Sequence, residues 1–340
     1  MADVALQPSP GDFCIIAFMQ NIRWGIIGCG NVTEVKSGPG FQKAENSSLV
    51  AVMRRNGDLA RDYAQRHGVP RWYDDADRLV HDPEVDAVYI ATPPSSHKEY
   101  TLKAAQAGKP VYVEKPMAMN FAECDQMLRA CQKAGVPLFV AYYRRRLERF
   151  LKIKEWLAAD RIGEVRFVTV SQFQKSLPEE EGANPPWRVV PEISGGGKFL
   201  DVGSHTLDIL DFLLGPIERA SGSTGNQGGH YQTDDIVNAH FTFQSGVKGT
   251  GVWCFSAFST GDSNCIVGSK GMIQFSTFGT EPTMLTTDAG TEVHHAVHPV
   301  HIQQPLIQTI VATLTGQGSC PSTGESGART TWVMDHILGH

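Results

Sequence analysis

Along the first 145 positions, apolar residues fall into short blocks separated by polar stretches of helix length. IRWGIIG (22–28) predicts a buried strand and SSLVAVM (47–53) a second, with a stretch of about helix length between them. DLARDYAQRHG (58–68) has helical character and stops at Gly68, a residue suited to a helix C-terminus. VDAVYIAT (85–92) predicts a strand, HKEYTLKAAQAG (97–108) a helix ended by glycine, and PVYVE (110–114) another strand. FAECDQMLRACQKAG (121–135) and PLFVAYY (137–143) repeat the helix–strand unit. Strand and helix in alternation, with short connections, imply right-handed βαβ units on a parallel sheet.

Beyond about residue 145 the pattern changes. RFLKIKEWLAAD (149–160) predicts a helix. EVRFVTVSQF (164–173), IVNAHFTFQSG (236–246) and VKGTGVWCFSAF (247–258) then alternate every two residues between Gly-rich turns. That is the pattern of a largely antiparallel sheet with one covered face. SHTLDILDFLLG (204–215), PLIQTIVATLTG (305–316) and ESGARTTWVMDHIL (325–338) have helical character. The expected organisation is a tail over 1–20, a doubly wound parallel α/β domain over 21–145, a second α/β domain over 146–325 and a closing helix over 326–340.

Composition narrows the class without naming a chemistry. A length of 340 residues fits two domains at roughly 150 residues each. The 30 basic and 36 acidic residues are dispersed, so nucleic acid is not an expected partner. No stretch approaches the ~20 apolar residues of a membrane span, so no membrane partner is expected. The seven cysteines form no C-x-x-C pair, which fits a reduced, cytoplasmic compartment. DFCIIAF near the N-terminus is short and is preceded by no Lys or Arg, so it fails as a signal peptide. Residues 1–20 read as an untethered tail or as an early start codon.

The first candidate chemistry lies where the first strand ends. GCGNVT places Gly28 and Gly30 directly after it, with Asn31 and Val32 opening the next element. The first glycine permits a tight turn, and the second lets the backbone approach a pyrophosphate at a helix N-terminus. The third fingerprint position is Thr33, which predicts looser helix–strand packing there. The second strand ends in Arg54 and Arg55, where an NAD site usually carries an acid. A guanidinium there pairs with a 2′-phosphate, so the expected cofactor is NADP, with NAD the alternative.

A second constellation is Asp201-x-x-x-His205 at the start of a helical pattern. An imidazole in a first helical turn is biased toward neutrality, as proton exchange near pH 7 requires. Asp201 would orient it or bind a substrate hydroxyl. Taken alone, the pair reads rather as a turn residue, Asp201, and a capping or packing residue, His205. The histidines of HHAVHPVH (294–301) lack a fixed spacing and an accompanying carboxylate set, so no metal is expected. PEEEGANPP (178–186) reads as a charged surface loop.

Taken together, YVEKP (112–116), ATPPSSH (91–97), the run GGGKFLDVGSHTLD (195–208) and GESGART (324–330) resemble the glucose–fructose oxidoreductase/inositol dehydrogenase (Gfo/Idh/MocA) family. The resemblance covers nearly the whole chain from Ile22. It implies an N-terminal Rossmann domain and a C-terminal α/β domain with a large, open, mostly antiparallel sheet through which copies often associate. It implies Lys115, Asp201 and His205 as the catalytic set, and Thr92, Pro93, His97 and Glu114 at the cofactor crevice. It also implies a cis bond before Pro116. The implied reaction is hydride transfer between nicotinamide C4 and a carbinol or carbonyl carbon of a sugar or cyclitol. His205 would exchange the proton, Lys115 would hydrogen-bond the same oxygen, and Asp201 would hold substrate and Lys115 in place. Tyr143 and Arg144 at a strand end, with Trp187 and Arg188 in a loop, are candidate substrate contacts. A glycoside-cleaving enzyme using tightly held NAD, or a non-catalytic sugar or dinucleotide sensor, are the other functions the resemblance admits.

Overall fold

A computed structural model describes residues 20–182 and 184–340, so all but the last position of the expected tail lies outside the described residues. The first sheet contains β1 (Ile22–Ile27), β2 (Ser47–Met53), β3 (Arg71–Tyr73), β4 (Ala87–Ile90), β5 (Val111–Val113) and β6 (Leu138–Val140). All neighbours run parallel, in the order β3-β2-β1-β4-β5-β6. Chain order therefore reverses between β1 and β4, which opens a crevice at the carboxyl ends of those strands. β4 and β5 are apolar without alternation because every residue in them is buried.

The flanking helices stop where their capping residues dictate. Asn56 accepts the Leu59 amide at the start of the helix Gly57–His67, and Gly68 closes it at φ 65°. Asn120 and Gly135 do the same for Phe121–Ala134. Thr33 corrects the expectation of loose packing. It is fully buried, and its hydroxyl donates to Gly30 O at 2.8 Å while accepting from Gly30 N at 3.1 Å. The Tyr63 hydroxyl donates to Thr33 O at 2.8 Å, tying this turn to the next helix.

The second sheet has eight strands: β7 (Val165–Phe173), β8 (Ile217–Gly225), β9 (Ile236–Phe243), β10 (Lys248–Cys254), β11 (Gly261–Gly268), β12 (Gly271–Phe275), β13 (Thr283–Thr287) and β14 (Gly290–His294). Their order is β14-β13-β12-β11-β7-β10-β9-β8, antiparallel except for the parallel pair β7–β10. Alternation along the strands buries Val168, Val170, Val237, Phe241, Trp253 and Ile266 in one core with Phe199, Leu207 and Leu210 of the adjoining helical segment. The opposite face carries Phe167, His240 and Thr250, which are exposed.

The chain returns to the first sheet at its end. The helix Gly324–Leu338 packs on the helix Phe121–Ala134 and on β8. Just before it, the Ser322 hydroxyl donates to Val140 O at 2.7 Å. Among the described residues, no helix is long and apolar enough to cross a membrane.

Candidate active site

The glycine turn after β1 is shaped by backbone rather than side chains. Gly28 has φ +91°, and a Cβ there would lie 2.6 Å from Thr92 Cγ2. Gly30 is different: a Cβ would project into open space, with Gly28 O nearest at 3.8 Å. The room beside Gly30 is the space a side chain would fill, and it suits close approach of a pyrophosphate. Asn31 and Val32 begin the following helix, where the first amides have no carbonyl of their own to serve. Arg54 and Arg55 follow β2 on the same crevice, both exposed. These features fit a dinucleotide.

The crevice measures about 730 Å³ and runs from this turn to the second sheet. Of the residues expected from sequence, Gly28, Gly30, Asn31, Val32, Arg54, Arg55, Thr92, Pro93, Glu114, Lys115, Tyr143, Arg144, Trp187, Arg188, Asp201 and His205 all line it. His97 does not. It is buried behind the wall, with Nε2 2.7 Å from Thr92 O and Nδ1 3.0 Å from Pro116 O. It thereby joins the loops that leave β4 and β5 rather than facing the crevice.

Lys115 leaves the carboxyl edge of β5, and the bond from it to Pro116 is cis. Its Nζ donates to Asp201 O at 3.0 Å and forms an ion pair with Asp201 Oδ1. The other carboxylate oxygen accepts from Arg188 Nε at 3.0 Å. Burial alone would raise the Asp201 carboxyl, but Lys115 and then Arg188 outweigh it and hold it below its usual range. Asp201 therefore pairs with Lys115 and Arg188, not with His205. Glu114 anchors the same turn: its carboxylate accepts from Tyr89 Oη at 2.5 Å, Gln303 Nε2 at 2.7 Å and Lys115 N at 3.1 Å.

Asp201 and His205 do not sit at a simple helix start. Phe199–Gly203 form a π-turn that runs directly into the helix Ser204–Leu214, and Gly203 is already helical. Such bulges re-aim side chains at functional sites. His205 thus lies well inside a continuous helical run, and the expected first-turn bias toward neutrality does not apply. Burial is the main cause that holds its pKa well below 6.5, followed by the charges of Arg144, Lys115 and Lys36. Arg144 Nη1 donates to His205 Nδ1 at 2.9 Å. A guanidinium can only donate, so Nδ1 accepts and the neutral ring carries its hydrogen on Nε2.

Three contributors were not legible from motif or spacing. Gln303 reaches Glu114 across 189 positions. Phe278 stacks on Arg144, with its ring centre 4.2 Å from the guanidinium carbon. Lys36 lines the crevice from beyond the first short helix. The loop 178–186 also differs from its reading as a charged surface loop: Glu180 is buried and accepts from Lys198 Nζ at 2.6 Å.

Comparison with known proteins agrees with this architecture. Residues 22–142 match a profile described as "Oxidoreductase family, NAD-binding Rossmann fold", and residues 150–274 match the "GFO/IDH/MocA C-terminal domain". Oxidoreductase P35 of Formosa agariphila is 42% identical over 94% of this chain and 98% of its own. The 1,5-anhydro-D-fructose reductase of Ensifer adhaerens is 28% identical over 90% of this chain and 92% of its own. Among solved structures, a levoglucosan dehydrogenase in complex with NADH and levoglucosan superposes with a TM-score of 0.83 at 21% identity, covering 94% of this chain and 97% of that one. With both domains of the family present in order, and a relative at 42% identity along nearly the whole length, this chain is an oxidoreductase of the Gfo/Idh/MocA family.

Proposed function

We propose that this protein is an NADP-preferring oxidoreductase acting on a carbinol or carbonyl carbon of a sugar, sugar derivative or cyclitol. The observation that carries the reading is convergence: Lys115 from the first sheet meets Asp201 and His205 from the second domain in the crevice that begins at the Gly28 turn. The relatives add the substrate class, since their names include an anhydrosugar reductase and a myo-inositol 2-dehydrogenase.

Gly28, Gly30, Asn31 and Val32 would hold the pyrophosphate, Arg54 and Arg55 the 2′-phosphate, and Thr92, Pro93 and Glu114 the nicotinamide half. When bound, the nicotinamide supplies the hydride exchange with the substrate carbon. The protein's task is to bind the substrate oxygen and to move its proton. His205, with Nδ1 engaged by Arg144, offers that oxygen an Nε2–H donor. The proton exchange expected of the imidazole therefore falls to Lys115, whose Nζ is oriented by Asp201. Tyr143, Arg144, Trp187 and Arg188 supply the substrate-facing wall. The half-exposed outer face of the large sheet supports a homo-oligomer, which light scattering on the eluting protein would test.

Titration with NADPH and NADH, followed by nicotinamide fluorescence, tests the cofactor assignment. Arg54→Ala should weaken NADPH by roughly tenfold or more and leave NADH nearly unchanged, the cost of one charge-assisted contact. Equal loss for both would remove the preference for NADP. Lys115→Ala should lower kcat by about 10²–10⁴-fold with cofactor affinity retained. Unchanged turnover would remove the catalytic assignment.

A further inference from the structure

The catalytic end of the crevice carries more positive charge than its own carboxylates balance. Lys36, Lys115, Arg144 and Arg188 line it against Asp201 and Glu114, four cations to two anions and so an excess of two. Glu114 is held by Tyr89 and Gln303, and Asp201 by Lys115 and Arg188. Among the described residues, Lys36 and Arg144 pair with no carboxylate.

Arg144 is the informative one, because it is buried. A buried charge is costly unless it is paired. The neighbouring buried arginines are provided for: Arg145 pairs with Asp208 and Asp211, and Arg149 donates to the carbonyls of Ser276, Gly279 and Glu281. Arg144 donates through Nε to Thr277 O at 2.9 Å and through Nη1 to His205, and its Nη2 makes no hydrogen bond among the described residues. The rings of Phe278 and Tyr143, 4.2 and 4.9 Å away, fix the guanidinium in place. The result is a preorganised cationic donor beside the imidazole, with its natural acceptor missing from the protein.

We propose that the substrate is a sugar acid, and that its carboxylate is received by Arg144 Nη2 with Lys36 as the second cation. This rests on the oxidoreductase reading above and narrows its substrate class. An oxidised nicotinamide adds a further positive charge to the same end, so the cofactor does not supply the missing anion there.

The test uses the full-length protein. D-glucuronate, D-galacturonate and D-mannuronate are each compared with the parent aldose and with its 6-phosphate. Affinity is read by fluorescence titration of the NADPH-loaded enzyme, and kcat/KM is read in the oxidative direction. At least one uronate should bind tenfold or more tightly than its parent aldose and be oxidised correspondingly better. Arg144→Gln should reduce that preference by roughly ten- to hundredfold, as loss of a hydrogen bond to a charged group does. Lys36→Gln, at an exposed position where folding is not at stake, should reduce it in the same direction. Oxidation of the aldoses with no preference for any uronate overturns the sugar-acid assignment and leaves the oxidoreductase reading standing. Preference for the 6-phosphates overturns the carboxylate in the same way. Failure of an enzyme that still binds NADPH to oxidise any of these compounds or myo-inositol, or to reduce the corresponding keto sugars, overturns both.

Discussion

His205 and Arg144 show how one contact sets a residue's chemistry. With the guanidinium on Nδ1, the neutral imidazole keeps its hydrogen on Nε2, and a substitute that keeps a donor near that point should keep most of the function. His205→Gln is expected to retain kcat within about tenfold of the parent, whereas a proton-carrying imidazole would put it in the 10²–10⁴-fold range. Steady-state turnover at saturating cofactor separates the two. The depressed pKa also gives a stability signature. Below pH 6.5 the unfolded chain takes up a proton at His205 that the folded chain does not, so this group's contribution falls as pH falls from 6.5, by up to about 1.4 kcal/mol per pH unit. Denaturant unfolding at pH 7 and pH 5.5 should show this component, and His205→Gln should lack it. Lys115, Asp201 and His205 were legible because their motifs are local. The Arg144–His205 bond was not, since it joins positions 61 apart, and the first-turn argument failed because a π-turn had already begun the helix.

At the scale of elements, the glycine turn departs from the three-glycine fingerprint without becoming weaker. Thr33 occupies the third position, and its hydroxyl both donates to and accepts from the Gly30 backbone. Restoring the fingerprint with Thr33→Gly should therefore destabilise the protein by about 1–2 kcal/mol, combining lost capping with glycine's poor helix propensity. Chemical denaturation measures this directly, and a stabilised variant would contradict it. The first sheet was readable strand by strand because burial on both faces leaves uninterrupted apolar runs. Three of the four edge strands were not. β3 has only three residues, β8 reads IERASGSTG with most positions exposed, and β14 is exposed almost throughout. Strands with little buried surface carry little alternation, so these three edges were silent, whereas the edge strand β6, buried throughout, was read as an apolar run.

At the scale of the whole molecule, a buried ionic cluster fastens the turn after β6 to two helices of the second half. Arg145 donates to Asp208 at 2.7 Å and to Asp211 at 3.1 Å, and Arg329 completes the cluster at 2.8 Å from Asp211. Arg145→Ala leaves Asp208 buried without its partner and should cost about 3–5 kcal/mol. Arg145→Lys should recover only part of this, because an ammonium cannot reproduce the forked contact. Thermal or denaturant midpoints of the two variants check the ranking. Nothing in local pattern announced this cluster, since its bonded partners lie as far as 118 positions apart.

The hydroxyl of Ser322 on Val140 and the amide of Gln303 on Glu114 finish the nucleotide-binding sheet with residues 182 and 189 positions further on. The first half of the chain alone therefore lacks the floor beneath Lys115 and the residue that ties down its last strand. Cofactor affinity should accordingly emerge only once residues through Ser322 are in place, and a chain cut after Ile302 should have its first sheet and lack its ligand.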